Sequence, residues 1–142
     1  MLRFKVFLAL FILCPLLAFA NEGGGEGGGE VDPNKPMISY FSLDPELITN
    51  YITANGDMGY IRIKIELMVN TAGDLALVQK HEPLIRDTIN DVLGKETVER
   101  IRSLKGREQI RQECQDKVNE QLLKETGKTL VRELIFTNYL YQ

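Results

Sequence analysis

Tyr60-Ile61-Arg62-Ile63-Lys64-Ile65-Glu66-Leu67-Met68-Val69-Asn70 is the stretch on which the fold turns. Ile61, Ile63, Ile65, Leu67 and Val69 alternate with Arg62, Lys64, Glu66 and Met68. Successive side chains of a strand point to opposite faces, so period two predicts one apolar and one largely charged face. A sheet built from such strands is covered on one side only, as antiparallel sheets commonly are. Upstream, Asn55-Gly56-Asp57 within residues 53–59 predicts a hairpin-like reversal, because positive φ is cheap at these residue types. Before it lie two short runs, Leu47 to Ile52 and Met37 to Leu43, separated by the turn signal Asp44-Pro45. Thr71-Ala72-Gly73-Asp74 is expected to end the long strand.

The period changes from about Lys80. Pro83 suits a first helical turn, where a missing N–H costs nothing. Leu84, Ile85, Ile89, Val92 and Leu93 follow at helical spacing, with Gly94 as the C-terminal cap. Thr97 is placed to cap a short helix carrying Val98, Ile101 and Leu104 inward. A longer helix is predicted from about Gly106 to Glu125. Its apolar stripe is Ile110, Cys114, Val118 and Leu122, with Leu123 beside it and Gly127 as the stop. Val131 to Tyr141, rich in Ile, Phe, Thr and Tyr, reads as a last strand. The predicted order is β-β-β-α-α-α-β, an α+β domain with helices on one face of a mainly antiparallel sheet.

The N-terminal quarter carries no such pattern. Arg3 and Lys5 precede an apolar run from Val6 to Phe19 that closes on Ala18-Phe19-Ala20. A basic start, an apolar run of this length and small residues at the cleavage positions predict a secretory leader over residues 1–20, cut between Ala20 and Asn21. The alternative is a short uncleaved anchor, although the run falls below the usual spanning length and contains Pro15. Leu13 directly before Cys14 argues against lipidation. Residues 21–36, with two Gly-Gly-Gly-Glu copies, read as a solvated tether averaging about 20–24 Å end to end. No Lys-Ser or Lys-Thr follows the glycines, as a phosphate loop requires. Residues 37–142 form the folded domain.

Cleavage after Ala20 leaves 122 residues with 15 basic and 20 acidic side chains, a net charge of −5. That length fits one domain. An acidic balance disfavours nucleic acid, whose phosphates attract basic patches. Cys114 is then the sole cysteine, so no internal disulfide can form. His81, the sole histidine, has only its chain neighbour Glu82 close in sequence, and adjacent helical residues do not face one another. With Cys114 on an apolar stripe and far from His81, neither a catalytic pair nor a metal-ligand spacing is present. The sequence predicts no catalytic residue, no cofactor and no metal.

Four segments together resemble the periplasmic domain of the FliL family, the flagellar basal-body-associated proteins. They are Asp44-Pro45-Glu46-Leu47-Ile48-Thr49-Asn50, Glu82-Pro83-Leu84-Ile85-Arg86-Asp87-Thr88-Ile89, Gly106-Arg107-Glu108-Gln109-Ile110-Arg111 continuing to Val118-Asn119 and Leu122-Leu123, and Phe136-Thr137-Asn138-Tyr139-Leu140-Tyr141-Gln142. They occur in the family's order and span nearly all of residues 37–142. Two features depart from the family's habit. The leader begins almost at Met1 instead of following a cytoplasmic stub, and Glu46 stands where an aromatic is usual. The resemblance therefore implies a divergent member.

The resemblance also implies a stomatin/prohibitin-type (SPFH-like) domain without enzymatic activity. It implies a periplasmic place at the outer face of the inner membrane, anchored there if the leader is retained. The implied partners are the flagellar basal body, the linker of the stator B subunit, further copies of the chain in a ring, and a membrane-anchored FliL paralogue. The implied role is support of motor torque in swimming and swarming. An adaptor or scaffold of the same fold serving another envelope complex is the alternative, since fold does not fix function. At the start of the charged run from Arg100 to Lys117 and just before it, family behaviour points to Glu99, Arg100, Arg102, Lys105 and Arg107 as an assembly surface. Opposite charges there would set register more than affinity.

Overall fold

A computed structural model describes residues 32–142. The leader, its cleavage site at Ala20–Asn21 and the glycine/glutamate tract lie outside the described residues. The alternating stretch is the centre of a four-stranded antiparallel sheet. It forms β3 (Met58–Thr71), which pairs along both of its edges. β1 (Pro36–Ser42) and β2 (Leu47–Ile52) share one edge, and β4 (Glu133–Tyr141) takes the other.

β1 and β2 behave as one edge strand broken by a short excursion. Ser42 lies opposite Glu66 and Leu47 opposite Ile63, so residues 43–46 stand against only two positions of β3. A register step of two leaves the alternation in phase. Leu43, Leu47 and Tyr51 therefore join Ile61, Ile63, Ile65, Leu67 and Val69 in the core. The Asp44–Pro45 peptide bond within the excursion is cis. Gly56 turns the β2–β3 hairpin with φ +83°, the left-handed conformation predicted for Asn55-Gly56.

The helices cover the inward face of the sheet. They are α1 (Ala72–Lys80), α2 (Glu82–Leu93), α3 (Val98–Arg102) and α4 (Leu104–Thr126). Val78, Ile85, Ile89, Leu93, Ile101, Ile110, Cys114, Val118 and Leu122 interlock with the sheet in one continuous core. Side-chain oxygens of Thr71, Thr97 and Ser103 accept the backbone N–H of Asp74, Arg100 and Gly106 at the starts of α1, α3 and α4. Gly127 ends α4 in the left-handed conformation, φ +73°.

The structure differs from the sequence reading in three places. There are four helices among the described residues, not three, because Thr71-Ala72-Gly73-Asp74 ends β3 and begins α1 in the same step. Thr71 is both the last strand residue and the helix cap. Leu104, expected to point inward, is 87% exposed. The stripe of α4 runs back from Ile110 to the buried Gly106, and Leu104 lies about 200° around the helix from it. β4 starts at Glu133, two residues later than expected, with Leu130 and Val131 buried in the loop before it.

Candidate functional site

The predicted assembly residues fall on α3 and the first turn of α4, and the structure divides them. Glu99, Arg102 and Lys105 are exposed. Arg100 and Arg107 are committed inside the domain. Arg100 reaches Glu96 of the α2–α3 turn at 2.9 Å and Glu113 of α4 at 2.8 Å, bridging two helices. Arg107 donates to the Phe136 carbonyl at 3.2 Å and stacks over the Tyr139 ring, 4.9 Å from its centroid. Arg102 stands 5.8 Å over the Tyr141 ring.

Why these side chains meet follows from one glycine and one aromatic cluster. A Cβ on Gly106 would collide with the Arg100 backbone and the Ser103 hydroxyl, so glycine lets α3 fold tightly against the start of α4. Phe136 and Tyr139 stack at 5.7 Å, and Tyr139 meets Tyr141 edge-on at 6.2 Å. The Tyr139 hydroxyl then donates to the Ile101 carbonyl at 3.0 Å, tying the end of the sheet to α3. Burial pushes that phenol up to about 12, so it stays a donor throughout the neutral range.

Glu96 was not singled out from the sequence. It is the one buried charged residue among the described residues, 8% exposed. Desolvation raises its pKa, and the nearby Arg100 offsets this only in part. Arg100 is shifted upward, chiefly by its hydrogen bond to Glu113. The position one turn before Arg100 was the available signal, because Glu and Arg four apart on successive turns pair readily.

Along α4 the sequence hides a second pattern. Arg107, Arg111, Gln115 and Asn119 each follow one residue of the apolar stripe; the first three bond backbone groups on the free edge of β4, and Gln115 and Asn119 also hold the two residues just before it. Arg111 donates to the Leu134 carbonyl at 2.9 Å. The Gln115 amide donates to the Arg132 carbonyl and accepts the Leu134 N–H, at 3.3 and 3.0 Å. Asn119 likewise donates to the Val131 carbonyl and accepts its N–H, at 2.8 and 3.0 Å. An open strand edge invites pairing with another chain, and here side chains occupy much of it.

The remaining candidates have structural surroundings. Cys114 is fully buried, and desolvation pushes its thiol up to about 12, far from the thiolate that nucleophilic chemistry requires. His81 joins α1 to α2, its N–H bonded to the Leu77 carbonyl and its side chain making no capping bond. Among the described residues no group of three or more His, Cys, Asp or Glu side chains is placed to hold a metal ion.

The four resembling segments meet in space. Arg86 of α2 donates to the Pro45 carbonyl at 2.7 Å, joining the first segment to the second. Arg107 joins the third to the fourth through Phe136 and Tyr139. Residues of these segments are thus contacts that hold the fold together. A family model for the flagellar basal body-associated protein FliL matches residues 40–142. The chain belongs to the FliL family. The flagellar protein FliL of Aquifex aeolicus (strain VF5) is 37% identical to it over 113 residues, covering 80% of this chain and 66% of that protein. The matched region runs from within β1 to Gln142 and takes in all the later elements, and the chain spans just under two thirds of that relative's length. No helix among the described residues is long and apolar enough to cross a membrane.

Proposed function

We propose that this FliL-family protein is a non-enzymatic accessory of the flagellar motor, acting in the periplasm beside the stator. It associates with the linker of the stator B subunit and the basal body, assembles with further copies of itself or with a membrane-anchored paralogue, and supports torque. The observation that carries the reading is the family match across residues 40–142. The chemistry around the polar side chains is consistent with it. Cys114 is inert and the Glu96–Arg100–Glu113 bridge ties helices together, so the protein acts through surface complementarity. Residues 1–20 deliver the domain across the membrane, and the glycine/glutamate tract links it to whatever holds its N-terminus; the tether expected over residues 21–36 ends earlier, because the Pro33 carbonyl accepts the Gly73 N–H and Pro36 already belongs to β1. Glu99, Arg102 and Lys105, which project from α3 and α4, are the part of the charged run free to contact another subunit.

The test is soft-agar spreading of a clean deletion strain, with filaments counted in the same cells. Normal filaments with reduced spreading are expected. Unchanged spreading, with and without any paralogue, would favour an adaptor of another envelope complex, the reading to which the cleavable leader lends itself.

A further inference from the structure

The chain enters its sheet at one end, and the hairpin and Gln142 lie at the other. Pro36 pairs with Thr71 and Glu133 with Met68, whereas Ile52 pairs with Met58 and Tyr141 with Ile61. β3, 14 residues long, separates the two ends by roughly 40 Å. Ile48, Tyr60 and Leu140 meet on the uncovered face at the Met58 end, far from the entry. The entry itself is fastened before β1 begins. The Asp32 carboxylate accepts the Asn34 N–H at 2.9 Å and its carbonyl accepts the Lys35 N–H at 3.0 Å, closing a turn. The Pro33 carbonyl accepts the Gly73 N–H at 3.0 Å, in the first turn of α1. A Cβ on Gly73 would stand 2.9 Å from that oxygen, so glycine permits the contact.

From that point β1 lies along β3. It pairs at Pro36, Ser39, Tyr40, Phe41 and Ser42, and the Leu43 N–H extends the ladder to the Ile65 carbonyl at 2.9 Å. Leu43 is buried in the core, Phe41 packs against the core, and α1 lies over both strands. Direction decides how such a ladder yields. Antiparallel hydrogen bonds stand perpendicular to their strands. A pull along the strands slides β1 past β3, straining all the bonds together and drawing Phe41 and Leu43 from apolar surroundings. A pull across them opens the ladder one pair at a time, beginning at Pro36. Because β1 starts at the Thr71 end, tension between the N-terminal segment and the hairpin end runs along the strands.

We propose that β1 is a clasp under tension: a force between the N-terminal segment and the hairpin end of the sheet is resisted by the whole β1–β3 ladder in shear. The domain then stays folded while it links two held points. The inference goes beyond the flagellar reading and does not depend on which structures hold the two ends. The test is single-molecule stretching of the full chain between DNA handles clicked onto p-azidophenylalanine. Handles at Glu30 and Asn55, or at Glu30 and Gln142, pull lengthwise; handles at Glu30 and Glu133 pull crosswise at the Thr71 end. Asn55, Glu133 and Gln142 are exposed, so these labels replace side chains outside the core. At one pulling rate both lengthwise pairs should break at roughly twice the crosswise force or more, because several bonds must yield at once. Urea midpoints of the three labelled proteins should coincide, since the fold is the same in each. Equal forces, a stronger crosswise pair, or forces that merely follow the order of the midpoints would each overturn the proposal.

Discussion

Tyr51 and Gly59 face each other across the β2–β3 ladder, and each explains the other. A Cβ on Gly59 would collide with the Tyr51 ring and hydroxyl, so the ring packs directly against the glycine. From there the hydroxyl donates to the Gln142 carbonyl at 2.7 Å. The sequence marks Gly59 as a turn residue, yet its φ is not positive and its role is close approach. Tyr51→Phe should cost about 1 kcal/mol, the usual net value of one hydrogen bond. Gly59→Ala should cost about 1–3 kcal/mol by overpacking, and clearly less in a Tyr51→Leu background. Urea unfolding of the four proteins measures this coupling, and simple additivity would refute the contact. Glu96 supplies a pH dependence. Its carboxyl keeps its proton to higher pH in the folded chain than in the unfolded one, where 4.5 is ordinary. The folded state then binds more protons, so this contribution is fully present at low pH and is lost as pH rises through the raised value. Relative to wild type, Glu96→Gln should gain stability from about pH 4 towards neutrality. A flat difference across that range would show that Arg100 outweighs desolvation.

Among the elements, α4 carries two messages in one helix. Its apolar stripe, every fourth residue from Gly106 to Leu122, was legible because burial repeats at the helical period. Its polar series one position later looks like ordinary solvated surface. Only the placement of β4 and the loop before it reveals that Gln115 bonds the strand's free edge at Leu134 and that Asn119 holds Val131 where the chain enters the strand. Asn119→Leu should therefore destabilise by about 1–3 kcal/mol, more than an exposed helix change, because Val131 loses partners for both backbone groups. Gln115→Leu with Asn119→Leu should also make unfolding midpoints depend on protein concentration, as the freed edge pairs with another chain. Denaturation at two concentrations checks both claims, and a midpoint indifferent to the double change would disprove the edge-covering role. α1 was illegible for the opposite reason. Leu75, Leu77 and Val78 give no clean stripe, because the short helix lies over both β1 and β3 and half-buries most of its residues.

For the molecule as a whole, one side of the sheet is packed and one is open, and charge is distributed accordingly. Arg100 and Arg107 hold α3 and β4 in place, whereas Glu99, Arg102 and Lys105 project outward. Reversing Arg100 or Arg107 should thus lower the melting temperature by several degrees, as about 1–2 kcal/mol does in a domain this size. Reversing Glu99 and Lys105 should leave it nearly unchanged while altering subunit association. Scanning calorimetry with sedimentation velocity separates the two classes, and a melting temperature insensitive to Arg100→Glu would show the internal bridge to be idle.

The amino-acid sequence alone determined the α+β class, the antiparallel habit, the hairpin at Asn55-Gly56 and the stripe of α4. These depend on neighbours within a few positions, where alternation, helical period and φ preference act directly. It also carried the family resemblance, because the four segments are themselves pieces of the local pattern. Tertiary structure alone decided that β1 and β2 share an edge, that Arg100 and Arg107 turn inward, that Glu96 is buried, and that Ile48, Tyr60 and Leu140 meet on an uncovered face. Each of these unites residues 4 to 92 positions apart. Their free energies arise from desolvation and contact, which exist only after the chain has closed.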